Sequence, residues 1–408
     1  MVKKSRKGDC EFFMKSQMPK LWTKDFITIS SANFFIFLTF YVLMVTLTAY
    51  TMDQFHASQS LAGLASSIFV LGAVLIRPIA GKTINNVGQK KMLLISLLLF
   101  FIASILYFQV NSLPMLFLNR FIHGVAFGVA STATGTISAG IIPNERRGEG
   151  TGYFAMSMNL AMAIGPFIGL FITQHYDASL IFVVAMVFSI IALLASLIVH
   201  VPKREFKPEQ MEAKSGMKLS DFFEKTAIPI SLLVGVAGFI YSSVLSFLTS
   251  YSQEINLVSA ASFFFVMYAV FLLASRPFTG RWFDKYGPNK IIYPSILLFA
   301  CGLLLISQAH IGISLLIAGA LFGMGFGTFQ SSTQAVVVKK VPHRRMGLAT
   351  STYFTFYDLG IGVGPFVLGF VIPLLGFRGL YFAMAVLAFI CIDIYYFVHG
   401  RSLSKQYA

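Results

Sequence analysis

Long apolar stretches separated by short polar ones run along nearly the whole chain, and their lengths cluster near one value. Crossing about 30 Å of hydrocarbon takes roughly 20 helical residues. Runs of that order occur at 26–50, 60–80, 91–110, 113–139, 151–173, 178–200, 227–249, 259–279, 291–309, 311–337, 348–372 and 378–399. Inside lipid every backbone N–H and C=O must find its partner within the protein, so each run is expected to be a helix.

The polar connectors alternate in charge. Lys3, Lys4, Arg6, Lys7, Lys15, Lys20 and Lys24 precede the first run, and Lys82, Lys90 and Lys91 follow the second. Arg146 and Arg147 follow the fourth, and Lys203, Arg204, Lys207, Lys214, Lys218 and Lys225 the sixth. Arg281, Lys285 and Lys290 follow the eighth, Lys339, Lys340, Arg344 and Arg345 the tenth, and Arg401 and Lys405 the twelfth. The remaining connectors hold Asp53, Asp177, Glu254 and only one basic residue, Arg378. Basic residues near span ends stay on the cytoplasmic side, so both termini and the 201–226 connector are expected there. The first run is too long, and lacks the small-residue cleavage pattern, to be a removed signal. Met14 and Met18 are alternative starts.

Composition agrees. The chain of 408 residues is 56% hydrophobic and 12% charged, with a mean hydropathy of +0.76. Soluble domains are about 25% charged. The net charge of +15 is accounted for by the basic connectors, which leaves no case for a nucleic-acid partner. Trp22 and Trp282 fall at span ends, as interfacial anchors do. Cys10, Cys301 and Cys391 are odd in number and far apart, so neither a disulfide framework nor a metal site follows. No cofactor motif is present: Gly81-Lys82-Thr83 is not a phosphate-binding loop, because position 76 is Ile76 rather than glycine.

The chain repeats itself. Arg77-Pro78-Ile79-Ala80-Gly81 through Gly88 recurs as Arg276-Pro277-Phe278-Thr279-Gly280 through Gly287, an offset of 199 residues. The same offset carries Gly124 onto Gly323, Gly148 onto Gly347, Gly165-Pro166 onto Gly364-Pro365 and His200 onto His399. The organisation expected is a cytoplasmic segment 1–25, a six-helix bundle 26–200, a cytoplasmic linker 201–226, a second bundle 227–399 and a tail 400–408. The fold class is therefore an all-α membrane protein of twelve transmembrane helices in two pseudo-symmetric six-helix bundles. Parallel repeats of this kind place a solute site near mid-membrane between the halves.

Four motifs carry a resemblance. Gly81-x-x-x-Asn85-x-x-Gly88-Gln89-Lys90-Lys91 and its copy Gly280-x-x-x-Asp284-Lys285-x-Gly287 resemble the signature between spans two and three of the major facilitator superfamily. Arg120-x-x-x-Gly124 resembles the proton-linked motif of its antiporters, and Ala161-x-x-x-Gly165-Pro166-x-x-Gly169 their antiporter signature. The resemblance spans about residues 26–399 and points to the twelve-span drug:proton antiporter branch of bacteria. It implies that the acid of the loop motif sits near a helix N-terminus of the other half, where the helix dipole favours negative charge. The chain departs from the family pattern at Asn85, usually Asp, and at Ala161 and Leu170, often Gly.

Ionisable residues inside a span are costly and mark function. Asp358, about ten residues into span eleven, is the leading proton-carrier candidate; its repeat mate is Asn159. Arg120 and His123 share a face of span four by i,i+3 spacing and complete the candidates for proton coupling. Asn33, Tyr41, Thr132, Thr136, Asn159, Tyr241, Gln330 and Gln334 are candidate substrate contacts, and Tyr41, Tyr50 and Tyr241 would suit an apolar or cationic aromatic solute. Span one holds no acid for a cation. Gly81, Asn85, Gly88, Gly280, Asp284 and Gly287 are the conformational motif; Gly165, Pro166, Gly364 and Pro365 are candidates for helix packing and gating, since proline removes a backbone donor and glycine permits close approach. Asp393, Asp53 and Glu254 read as structural or solvated.

With no nucleophile–base set discernible, an enzyme is disfavoured. The sequence reads as a secondary transporter that exports a small amphipathic organic compound against protons, a monomer in lipid by family default. Proton-coupled import of a nutrient and a transport-inactive sensor are the alternatives it leaves open.

Overall fold

The structure is a computed structural model that describes residues 19–57, 59–201 and 221–401. Cys10, Met14, Met18 and most of the segments expected at 1–25, 201–226 and 400–408 lie outside the described residues. The described residues form helices and contain no strand.

The first half comprises α1 (Lys24–Phe55), α2 (Gln59–Val87), α3 (Gln89–Leu106), α4 (Leu113–Ile141), α5 (Arg147–His175) and α6 (Ser179–Ile198). The second comprises α7 (Ile228–Glu254), α8 (Val258–Tyr286), α9 (Asn289–Ser307) and α10, which runs over Gly312–Lys339. A last helical stretch, Met346–Tyr395, is interrupted at Gly376, whose φ of 67° and ψ of 175° are not helical. It therefore supplies two spans, α11 (346–375) and α12 (377–395). Among the described residues, eleven helices are long and apolar enough to cross a membrane. The last of these joins what the sequence pattern separates into two.

Local sequence sets the boundaries. Thr23 caps α1 by accepting a hydrogen bond from the Phe26 amide at 3.2 Å, satisfying one of the orphan donors of the first turn. Proline opens α4 and α7 at a position that needs no donor. Both repeat motifs prove more helical than a loop: α2 continues to Val87 and α8 to Tyr286, so Gly81, Asn85, Gly280 and Asp284 are on helices. The reversal falls on Gly88 and Gly287 alone, with φ of 98° and 82°, values that glycine adopts without steric cost.

The halves meet along two seams. In one, α2 packs on α11; in the other, α5 packs on α8, its pseudo-symmetric equivalent. Large apolar side chains such as Leu118, Phe167, Phe370 and Phe397 project outward, as expected where lipid replaces water. The two halves are pinned at the end that carries the basic connectors. Asp284 accepts hydrogen bonds from the Gly148 and Glu149 amides at 2.8 and 3.0 Å, at the N-terminus of α5. Glu149 also pairs with Arg281 at 3.3 Å and Arg146 at 2.8 Å. On the opposite seam the Asn85 side-chain amide donates to the Arg344 carbonyl. Gly81 and Gly347, like Gly280 against Glu149, sit where a Cβ would collide with the facing helix.

Candidate functional site

Asp358 stands on α11 at the seam with α2, and its partner is Arg77. The guanidinium Nε and Nη2 both donate to one carboxylate oxygen, at 2.8 and 2.6 Å. Arg77 is completely buried, while the Asp358 side chain keeps 13% exposure. The remaining Arg77 nitrogen donates to Ser131 at 2.9 Å and Thr132 at 3.4 Å on α4. Phe127 and Phe354 lie 5.6 and 5.1 Å from the guanidinium carbon, so aromatic faces cover the charge. The Arg77 carbonyl accepts from Ser351, which fixes the arginine from both ends. A fully buried cation requires such compensation.

Asp358 also lines a narrow central pocket with Phe37, Phe40, Tyr41, Phe69, Phe127 and Tyr357. The carboxylate is thus the charged feature in a largely aromatic wall. Next to it, Tyr41, Tyr241, Tyr268 and Tyr357 bring four phenols from α1, α7, α8 and α11 within electrostatic reach of one another. Tyr41 also senses Asp358. Among the described residues the buried Tyr241 and Tyr357 hydroxyls have no hydrogen-bond partner. Tyr241 stacks on Phe326, with ring centroids 4.4 Å apart.

The seam between α5 and α8 carries the pseudo-symmetric copy, and it differs. Asn159 takes the place of Asp358 and accepts from the Tyr268 hydroxyl at 3.1 Å. Arg276, the copy of Arg77, donates to Ser331 and, at 2.8 Å, to the Gly327 carbonyl. Gly327 ends a π-helical turn, Gly323–Gly327, in α10; the equivalent stretch of α4 is ordinary α-helix.

The other predicted residues are distributed as follows. Arg120 donates to the Ala65 carbonyl at 2.9 Å and to the Tyr107 hydroxyl at 3.3 Å, beneath the Phe69 ring. His123 meets the same Tyr107 hydroxyl at 3.1 Å. Both are buried within the first half, in a network separate from the Asp358 pair. Asn33 donates to Ser157 at 2.9 Å and accepts from Thr134 at 2.7 Å, tying α1 to α5 and α4. Thr136 bonds back to the Thr132 carbonyl at 2.7 Å. Gln330 approaches the Met158 sulfur at 3.7 Å across the halves, and Gln334 is buried on the same face of α10. Gly165 lies against the Tyr41 Cβ and Gly364 against the Ser242 hydroxyl, so each brings two helices of one half into close contact; Pro166 and Pro365 sit within α5 and α11.

Sequence reasoning missed Arg77, Tyr268 and Tyr357. Arg77 had a signal: an arginine heads both copies of the repeat, inside a span, where a charge must be paired.

The Major Facilitator Superfamily profile matches residues 29–274 and 254–406. The chain belongs to that superfamily. As a member it is a multi-pass membrane transporter and not an enzyme. It is similar to Multidrug resistance protein 1 of Bacillus subtilis, 24% identical over 374 residues that cover 89% of this chain and 93% of the relative. It is also similar to the multi-drug resistance efflux pump PmrA of Streptococcus pneumoniae, 26% identical over 355 residues covering 84% and 87%. Its fold is shared with the crystal structure of the human organic anion transporter MFSD10, with a TM-score of 0.76 at 15% identity, covering 92% of this chain and all of that one. The superfamily fold explains the doubled motif: two six-helix halves face each other across the seams where Asp358 and Asn159 stand.

Proposed function

We propose that this superfamily member exports a small amphipathic organic compound in exchange for protons, by rocking of the 26–200 unit against the 227–399 unit about the central site. Both termini and the 201–226 linker then face the cytoplasm of a bacterial-type plasma membrane, in accord with the basic connectors. The observation that carries the reading is the Arg77–Asp358 pair, which joins the halves while its carboxylate borders an aromatic pocket. Protonating Asp358 neutralises the carboxylate, removes its Coulombic hold on Arg77 and so weakens one seam. Proton release restores the hold. One proton is thereby linked to the contact between the halves, and a ligand in the adjoining cavity competes for the same carboxylate. Export follows from the similarity to efflux pumps and from the span-five motif.

The test is proton movement in proteoliposomes under an imposed pH gradient, with a panel of amphipathic solutes and two proteins, wild type and Asp358→Asn. Solute-dependent collapse of the gradient in wild type, absent from the variant, is expected. Equal collapse in both proteins would assign Asp358 a structural role and move coupling to Arg120 or His123. Solute accumulation inside the cytoplasmic-face lumen driven by inward protons would reverse the direction to import.

A further inference from the structure

Arg276 is 2% exposed, yet among the described residues no carboxylate pairs with it. Its copy, Arg77, has Asp358; at the matching position Arg276 finds the neutral Asn159. Among the described residues the buried Arg276 Nε has no hydrogen-bond partner, and neither has the Asn159 side-chain amide nitrogen. Both are donors. The Tyr268 hydroxyl connects them, donating to Asn159 at 3.1 Å and lying within electrostatic reach of Arg276. The protein thus holds a buried cation and an excess of unused donors where its own symmetry would place a carboxylate. Buried charges are normally paired, and unused buried donors mark a missing ligand or ion. The π turn in α10 reinforces the reading. It is specific to this half, its Gly327 carbonyl fixes the Arg276 Nη2, and such turns concentrate at functional positions.

We propose that Arg276, with Asn159 and Tyr268, forms an anion subsite that receives the carboxylate of an organic acid carried by this transporter. The inference rests on the transport reading above and narrows its substrate class. The tyrosine cluster links this subsite to the Asp358 cavity, so an amphipathic acid places its anionic end at Arg276 and its apolar body among the central rings. Arg276 is a binding residue in this scheme and Asp358 remains the proton carrier. The two seams have divided the tasks that a symmetric molecule would duplicate.

The test is equilibrium binding to the purified full chain in detergent, which needs no proton gradient and so is independent of coupling. The probes are naphthoate and decanoate, each compared with its matching alcohol and amine. Wild type should bind at least one carboxylate more tightly than its alcohol or amine. Arg276→Gln should weaken that binding about tenfold or more, because it removes a charge-assisted contact, and Arg276→Lys should retain part of it. Asn159→Asp should also abolish the preference, since it supplies the carboxylate from within, and its thermal unfolding should be at least as high as that of wild type. Carboxylates binding no better than their alcohols in wild type would overturn the proposal. So would a carboxylate preference that survives in folded Arg276→Gln. Binding that obeys these expectations while no solute moves protons would leave the subsite standing and remove the proton-coupled reading.

Discussion

Arg77 and Asp358 are 281 positions apart and in opposite halves of the chain, yet two guanidinium nitrogens share a single carboxylate oxygen at 2.8 and 2.6 Å. Removing one member of a buried pair leaves the other uncompensated, which costs about 3–5 kcal/mol, whereas replacing both by apolar groups is often neutral. Asp358→Ala should therefore lower the unfolding temperature markedly, and Arg77→Met/Asp358→Leu should recover most of the loss. Transport assays should separate the two readouts: the double variant regains stability and stays unable to couple protons.

The clasp at the basic end depends on Asp284 far more than on its copy Asn85. Asp284 accepts two amide hydrogen bonds at the α5 N-terminus, where negative charge also favours the helix dipole. Asp284→Ala should cost about 1 kcal/mol of this cap and shift the population toward a state open at that end. Spin labels at Lys91→Cys and Lys290→Cys, in a background without Cys10, Cys301 and Cys391, should report a longer distance component in the variant. An unchanged distance distribution would show that the clasp does not set the equilibrium.

Tyr107 holds Arg120 and His123 together through one hydroxyl. Tyr107→Phe keeps the ring and deletes that hydroxyl, leaving buried groups unsatisfied at a cost of about 1–3 kcal/mol. Chemical unfolding should register the loss. Solute preference should change less than stability, because the network reaches the Asp358 pocket only through the Phe69 ring that covers Arg120.

Gly364 presses against Ser242, whose Oγ is the first atom a new Cβ would meet and whose Cβ follows at 2.8 Å. Gly364→Ala should destabilise by about 1–3 kcal/mol through overpacking. Adding Ser242→Ala should relieve only part of this, since the serine Cβ remains. Thermal unfolding of the single and double variants measures the coupling.

The spans, the duplication and the place of Asp358 inside a span were readable because each has a local signature: a run of apolar residues, a recurring motif, a charge where charges are expensive. The boundaries were less so. Apolar length ends α2 near residue 80, but the amphipathic motif continues the helix to Val87, and only Gly88 ends it. Arg77 carries a signal of its own, a charge inside a span, but nothing local says that Asp358 is its partner, because the pair is made by two helices meeting across the molecule. Asn33 shows what a local signal leaves out. A polar residue in a cavity-forming span looks available to substrate, but both ends of this amide are already used by Ser157 and Thr134. Among 16 tyrosines, composition could not single out the four that converge; helix packing does.

Gly376 has a consequence for how the molecule is made. One residue with a φ of 67° is all that separates the eleventh span from the twelfth, so no stretch of water-soluble chain exists to hold one across the bilayer while the other waits. During synthesis the two must leave the ribosome, turn and enter the membrane as a single hairpin.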